Sequence, residues 1–175
     1  MNILTNDPSI TAWGWAVVNA DGKILASGCI KTSPDNTKKN LRKTDDRFRR
    51  ISEINIMLLG VIEKYNVKFI VSEAPHGSQS AVAAVMIGMT AGMLQTIADT
   101  LCLPIEWYSE GEVKKCVLNK RAAAKNEMIE AVRQRMKVNF TGIKYIDEAV
   151  ADALGVYLAA VNSSVTLKLL KIKKL

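Results

Sequence analysis

Two runs rich in β-formers, "WGWAVVNA" (13–20) and "KILASGCIK" (23–31), are separated only by Asp21-Gly22. Asp-Gly accommodates the positive φ angles of a two-residue hairpin turn, so the runs predict an antiparallel pair. Residues 1–6 read as another strand ahead of them. After a polar loop, "TSPDNTKKN" (32–40), the period changes. From about Leu41 to Tyr65 the residues Phe48, Ile51, Ile54, Leu58 and Val61/Ile62 recur at helical spacing, with Arg42, Lys43, Arg49 and Arg50 opposite. The stretch "VKFIVSE" (67–73) is short and continuously apolar, as a strand buried on both faces is. There follow a long apolar helix over about 80–101, a strand at 103–109, and a helical stretch over 110–137 broken at "NKRAAAK". An amphipathic helix at 147–162 completes the series. The order β-β-β-α-β-α-β-α-α predicts an antiparallel start continued by parallel crossovers. The expected fold is α/β, a mixed five-stranded sheet with helices on both faces.

A chain of 175 residues that is 49% hydrophobic has enough apolar content for one core. The expected domain covers 1–162, and the Lys-rich segment 163–175, with Lys168, Lys171, Lys173 and Lys174 between apolar residues, reads as a basic C-terminal tail. Lys plus Arg number 24 against 17 Asp plus Glu, a formal charge of +7, which favours a polyanionic partner. Cys29, Cys102 and Cys116 are widely spaced and His76 is the single histidine. That excludes a zinc site of the usual Cys/His kind and suggests a reducing compartment. No charged segment followed by an apolar one opens the chain, so no signal peptide is read and a cytoplasmic location is expected. "SAVAAVMIGMTAGMLQTIADTLCL" is interrupted by Ser, Gly, Thr and Gln, and reads as a buried core helix rather than a membrane span.

Three acids hold similar places in their elements. Asp7 closes the first strand, Glu73 closes "VKFIVSE", and Asp152 lies on the inner face of the last helix amid Ala149, Val150, Ala151, Ala153 and Leu154. An unpaired carboxylate buried there would cost several kcal/mol, on the order of the usual penalty for isolated charges. A bound divalent cation would offset that cost, and hard cations such as Mg²⁺ take carboxylate oxygens. Each acid also has a bland reading: Asp7 as a turn-former before Pro8, Glu73 paired with a lysine, Asp152 on the solvent edge of its helix.

The segments around these acids resemble a known family. "DPSITAWGWAVV" is similar to an opening of Asp, Pro, a small residue, Thr and a Gly-aromatic pair. "FRRISEINIMLLGVIEKYNVKFIVSE" resembles a helix followed by the strand of the second acid, and "IGMTAGML" a Gly-x-x-x-Gly stretch in a central helix. "EVKKCVLNKRAAAK" places Lys114 and Lys125 at the spacing of two family lysines near the scissile phosphate, and "VADALGVYLAA" resembles a terminal Ala-Asp-Ala-Leu motif. Taken in this order over nearly the whole length, they resemble the RuvC-type Holliday-junction endonucleases, in a phage or mobile-element version. The resemblance implies a ribonuclease-H-like fold and metal-dependent hydrolysis of four-way or branched DNA. It also implies Mg²⁺, with Mn²⁺ as the alternative, two ions per site, and a homodimer without membrane contact. In a phage-encoded version the cytoplasm would be that of the bacterial host.

The expected metal ligands are Asp7, Glu73 and Asp152, with Glu148 or Asp147 completing the site. The family's fourth acid or histidine falls three residues before the last Asp, where this chain has Ala149. Glu148 lies nearly on the helix face of Asp152 and is preferred, whereas Asp147 could instead cap the helix. Ala149 also keeps open a second reading, a catalytically inactive junction-binding module of the same fold. Asn6 stands where the family has an apolar residue, and His76 stands about where several members present an aromatic to the junction. Lys115, Lys120, Arg121, Arg49 and Arg50 are candidate contacts to the DNA backbone, or simply solvated helix faces. Gly88, Ala91 and Gly92 on the apolar helix form the candidate dimer interface.

Overall fold

The computed structural model describes all residues except 36, 38–40, 79, 121–124 and 173–175, and does not define the side chains of residues 125 and 170–172. Five strands, β1 (Asn2–Asp7), β2 (Ala12–Asn19), β3 (Ile24–Lys31), β4 (Val67–Glu73) and β5 (Ile105–Tyr108), form one sheet in the order β3-β2-β1-β4-β5. β2 pairs antiparallel with both β1 and β3, while β4 and β5 join in parallel. The hairpin at Asp21-Gly22 forms as its residues predict, with Gly22 at φ +83°. The helices are α1 (Lys43–Lys64), α2 (Ala81–Thr100), α3 (Glu110–Leu118), α4 (Lys125–Arg135), α5 (Lys144–Ser163) and α6 (Val165–Ile172).

Two apolar layers sandwich the sheet. Leu4, Trp13, Val17, Ile30 and Ile70 pack with Ile54 and Leu58 of α1 and Leu94 and Ile97 of α2. Ile3, Ala16, Val18, Phe69 and Val71 pack on the other face with residues of α3, α4, α5 and α6. α1 has no side-chain hydrogen bond at its N-cap. Its buried stripe compensates, since Ile54 and Leu58 are fully buried, each contributing about 1.5–3 kcal/mol.

The break read at "NKRAAAK" divides 110–137 into α3 and α4, with α3 ending in a left-handed cap at Asn119 (φ 56°), the first residue of that run. Three features differ from the sequence reading. α5 begins at Lys144 rather than 147, since Asp147 lies one turn inside the helix and reaches back to the preceding turn. The C-terminal segment is not wholly a loose tail: α6 buries Leu167 in the core, and Ser164 Oγ accepts a hydrogen bond from the Leu167 amide at 2.9 Å. Finally, α2 is only partly a core helix. It buries Met86, Thr90, Leu94, Ile97 and Ala98 but leaves Val82 and Val85 exposed. By length and composition it is the one described helix apolar enough to cross a membrane; its buried stripe packs on α1 and the sheet.

Candidate active site

Strand alternation sets the direction of the first two acids. Ile3, Phe69 and Val71 face the layer that contains α5, and the Thr5 hydroxyl donates to the Ala153 carbonyl of that helix. Asp7 and Glu73 continue these odd-numbered rows, so both project toward the α5 face. The β1–β4 register pairs Thr5 with Val71 and Asn6 with Ser72, and one step further brings Asp7 level with Glu73 on the neighbouring strand, about 5 Å away between backbones. Both lie at the C-terminal ends of parallel strands, where open α/β sheets characteristically place their sites. A small cleft there, lined by Asp7, Pro8, Glu73, His76, Ile87 and Ala91, joins the two acids to the loop after β4.

Asn6, the departure from an apolar strand residue, is fully buried on the opposite face. Its Oδ1 accepts from Trp13 Nε1 at 3.1 Å and its amide donates to the Val71 carbonyl at 3.4 Å. The polar atoms are satisfied, so the strand carrying Asp7 keeps its packing.

α5 brings the third acid. It runs antiparallel to β1, with Ala149 over Gly14, the cross-strand partner of Asp7, and Ala153 over Thr5. Asp152 is half-buried on this helix, and its negative charge acts on both Glu73 and Lys114. Glu148 lies one turn earlier on the same stripe, with a 4.0 Å ion pair to Lys144. Asp147 is buried and differently engaged: it accepts from the Thr141 amide and hydroxyl and the Gly142 amide, each at 2.8 Å. Burial pushes its carboxyl up, but these hydrogen bonds outweigh burial and hold it below the usual carboxylate range.

The carboxyl of Glu73 is strongly perturbed. Burial, then the charges of Asp152 and Glu110, push its pKa up to about 7, against the opposing pull of Lys114. Among the described residues, no three Asp, Glu, His or Cys side chains close into a ready-made cage for an ion. The like charges of Asp152 and Glu110 act on Glu73. The donor set of Asp7, Glu73 and Asp152, hard oxygens half-buried on one face, is the kind that suits Mg²⁺ or Mn²⁺.

Glu110 is the residue that sequence reasoning missed. It occupies the first turn of α3, after a capping box in which Ser109 Oγ accepts from the Glu112 amide and Glu112 Oε2 accepts from the Ser109 amide. An acid at this place reads as a partner for the helix dipole, which concealed it. In the fold it pairs with Lys114, one turn on, and His76 is near enough to interact with it electrostatically. The faint signal was the i,i+4 Glu110–Lys114 spacing directly after a strand end.

The basic candidates separate. Lys114 is part of the site. Lys115 is exposed on the same helix, and Lys120 is exposed and pairs with Glu127 at 2.5 Å. Arg121 and the Lys125 side chain lie outside the described residues. Arg49 bonds Asp46 at 2.6 Å and also pairs with Glu53. Arg50, expected to contact the DNA backbone or else to coat a solvated helix face, does neither: it is only 6% exposed. Its Nε donates to Thr32 Oγ1 at 2.8 Å and its Nη2 to the Ile10 carbonyl at 3.1 Å, bracing the loop after β1 against α1.

Comparison with known proteins agrees with this architecture. Residues 3–160 match the family described as crossover junction endodeoxyribonuclease RuvC. A protein of that name from Shewanella woodyi is 28% identical over 168 residues, covering 94% of this chain and 89% of its own. One from Ehrlichia ruminantium is 24% identical over 160 residues, covering 88% and 94%. Among solved structures, T. thermophilus RuvC in complex with a Holliday junction substrate superimposes with a TM-score of 0.73 at 23% identity, over 92% of this chain and 93% of that one. The yeast mitochondrial Holliday junction resolvase superimposes with a TM-score of 0.65 at 16% identity, over 95% and 80%. These two establish a shared fold, a mixed five-stranded sheet with helices on both faces. With the family match spanning nearly all of its length, the chain belongs to the crossover junction endodeoxyribonuclease RuvC family.

Proposed function

We propose that this chain is the endonuclease its family membership implies, resolving four-way DNA junctions by phosphodiester hydrolysis at the carboxylate row. The observation that carries the reading is the levelling of Asp7 with Glu73 at the C-terminal ends of adjacent strands, on the face where α5 presents Asp152. Asp7, Glu73 and Asp152 would hold divalent cations, with Glu148 rather than Asp147 as the further ligand. Glu148 shares the stripe of Asp152, whereas the oxygens of Asp147 accept hydrogen bonds from Thr141 and Gly142. Two Mg²⁺ per site, with Mn²⁺ as a substitute, supply when bound the polarisation of the phosphodiester and the activation of water that such hydrolysis needs.

The chain's own cations do the rest. Lys114 lies where its charge meets both Glu73 and Asp152, so it can stabilise negative charge that grows on a phosphate seated between them. Lys125, on its spacing match to the family alone, is assigned the same role. Lys115, Lys120, Arg121 and Arg49 would follow the DNA backbone, and His76 faces the same cleft from the loop after β4. Symmetric cleavage of a junction needs two sites, and a homodimer supplies them. The exposed half of α2 supports that arrangement: Val82 and Val85 are at least half exposed, and nothing lies within 4 Å of a Cβ placed at Gly88 or Gly92. The expected setting is the cytoplasm of a bacterial cell.

The test is a labelled synthetic four-way junction, incubated with and without Mg²⁺. Parent protein should cut paired strands only with the metal. Asp7→Asn should abolish cutting while retaining junction binding, because it removes one ligand and one negative charge near the phosphates. A variant that cuts like the parent would overturn the site.

A further inference from the structure

The row that carries Asp7 does not end at β1. It crosses Gly14 to Cys29 on β3, and Lys31 lies two residues beyond Cys29, on the same face by alternation. Because β3 runs parallel to β1, Lys31 stands past the end of the sheet where Asp7 lies. Two strand spacings and two residues put its Cα about 12 Å from that of Asp7. Tyr145 approaches from above. It opens on α5 the stripe that continues to Glu148 and Asp152, three and seven residues on. The Lys31 ammonium sits over its ring, 4.5 Å from the centroid. Lys31 is exposed and Tyr145 is 40% exposed. The acids are therefore flanked by a lysine on each side, Lys114 toward β5 and Lys31 toward β3, and only the second is joined to an exposed aromatic ring.

The pairing of a cation with an aromatic face matches the two halves of a nucleotide. An exposed cation–π contact is weak, so the ammonium can exchange the ring for a phosphate at little cost, and the ring is then free to stack. We propose that Lys31 and Tyr145 form a nucleotide-binding ledge that grips the DNA strand beside the phosphodiester held at the acids. Lys31 takes a backbone phosphate and Tyr145 stacks on an adjacent base. The inference rests on the junction-cleaving reading, and assigns to β3 and the start of α5 the placement of the strand across the acids.

The test measures junction binding in EDTA, with 2-aminopurine placed in turn at the nucleotides flanking the cleaved bond. Lys31→Ala should lower the slope of log affinity against log salt by about one. Tyr145→Ala should weaken binding at least about fivefold, as loss of one stacked base does, and remove the fluorescence quench at one flanking position. Tyr145→Phe, which keeps the ring, should restore both. Melting temperatures of the variants separate lost contact from lost packing. If both alanine variants bind with parental affinity, slope and quench, or if weakened binding follows only a lowered melting temperature, the ledge is overturned. A parent that neither binds nor cuts the junction would overturn the functional reading along with it. A parent that binds, beside variants that bind equally well, would overturn the ledge alone.

Discussion

Gly14 of β2 lies directly beneath the Ala149 carbonyl of α5: a Cβ at Gly14 would stand 2.0 Å from that oxygen and 2.5 Å from its carbon. The obstruction is backbone, so no side-chain rotation relieves it. Gly14 is also the cross-strand partner of Asp7, so this contact sets the height of α5, and of its acids, above the first acid. We expect Gly14→Ala to destabilise the protein by about 1–3 kcal/mol, as overpacking does, and to slow cleavage by displacing Asp152 relative to Asp7. Chemical denaturation and single-turnover rates check this. Adding Ala149→Gly should not rescue it, because the clashing carbonyl remains. A parental rate in Gly14→Ala would show that the spacing does not govern the site.

The raised carboxyl of Glu73 carries a pH signature. Its pKa rises from an ordinary 4.5 to about 7 through burial first, then through the charges of Asp152 and Glu110. The native state thus holds this proton more tightly than the unfolded chain does. Its contribution to stability is fully present below about pH 4.5 and is lost as pH climbs through 7. In EDTA, the melting temperature of the parent should fall between pH 5 and pH 8 more steeply than that of Glu73→Gln, which has no proton to lose. Mg²⁺ at pH 8 should raise the parental value by binding the native state. Equal pH slopes in the two proteins would remove Glu73 from the list of strained acids.

Glu148 and Asp147 should separate by the kind of defect each produces. Asp147 accepts three hydrogen bonds that tie the 141–142 turn to α5. Asp147→Asn should therefore cost about 1–3 kcal/mol of stability, by loss of charge-assisted bonds, with a smaller effect on cleavage. Glu148→Gln should leave stability nearly parental and slow cleavage far more. The reverse ranking, read from melting curves and single-turnover rates side by side, would transfer the ligand role to Asp147.

Much of this arrangement was legible in the chain, and what was not has physical reasons. Alternation and the Asp21-Gly22 turn placed the hairpin, and continuous burial placed β4, because both signals are local. The acids at strand ends could be found for the same reason. Arg50 could not: on a helical wheel it looks solvated, and only the fold brings the Thr32 hydroxyl and Ile10 carbonyl to its guanidinium. The role of Gly14 was hidden because close approach to α5 depends on residues more than a hundred positions away. The break between α3 and α4 was visible as a basic stretch, but the left-handed Asn119 that ends α3 leaves only a weak mark in sequence. Glu110 was overlooked because its ordinary role, an acid in a helix's first turn, was sufficient to explain it.

That overlooked acid supplies the last prediction, which separates chemistry from affinity. Lys114 is held by Glu110, and its charge also meets Asp152 and Glu73. A lysine on a remote phosphate contributes mainly counterion release, so removing one, as in Lys168→Ala on α6, should change affinity and salt slope but hardly the rate at saturating enzyme. A lysine beside the scissile phosphate stabilises charge that grows only as the bond breaks, and its loss appears in the chemical step. Lys114→Ala should slow single-turnover cleavage at least about tenfold, equivalent to about 1.4 kcal/mol of barrier. Glu110→Gln should act in the opposite sense on binding. It releases the Lys114 ammonium and removes a negative charge from the rim, so junction affinity should rise and its dependence on salt should steepen. In the double variant the effect of Glu110→Gln on affinity should shrink, because the ammonium it would have freed is gone; double-mutant-cycle coupling measures this. If Lys114→Ala behaves like Lys168→Ala, the catalytic role fails. If the two substitutions are additive, Glu110 acts on the DNA directly and not through Lys114.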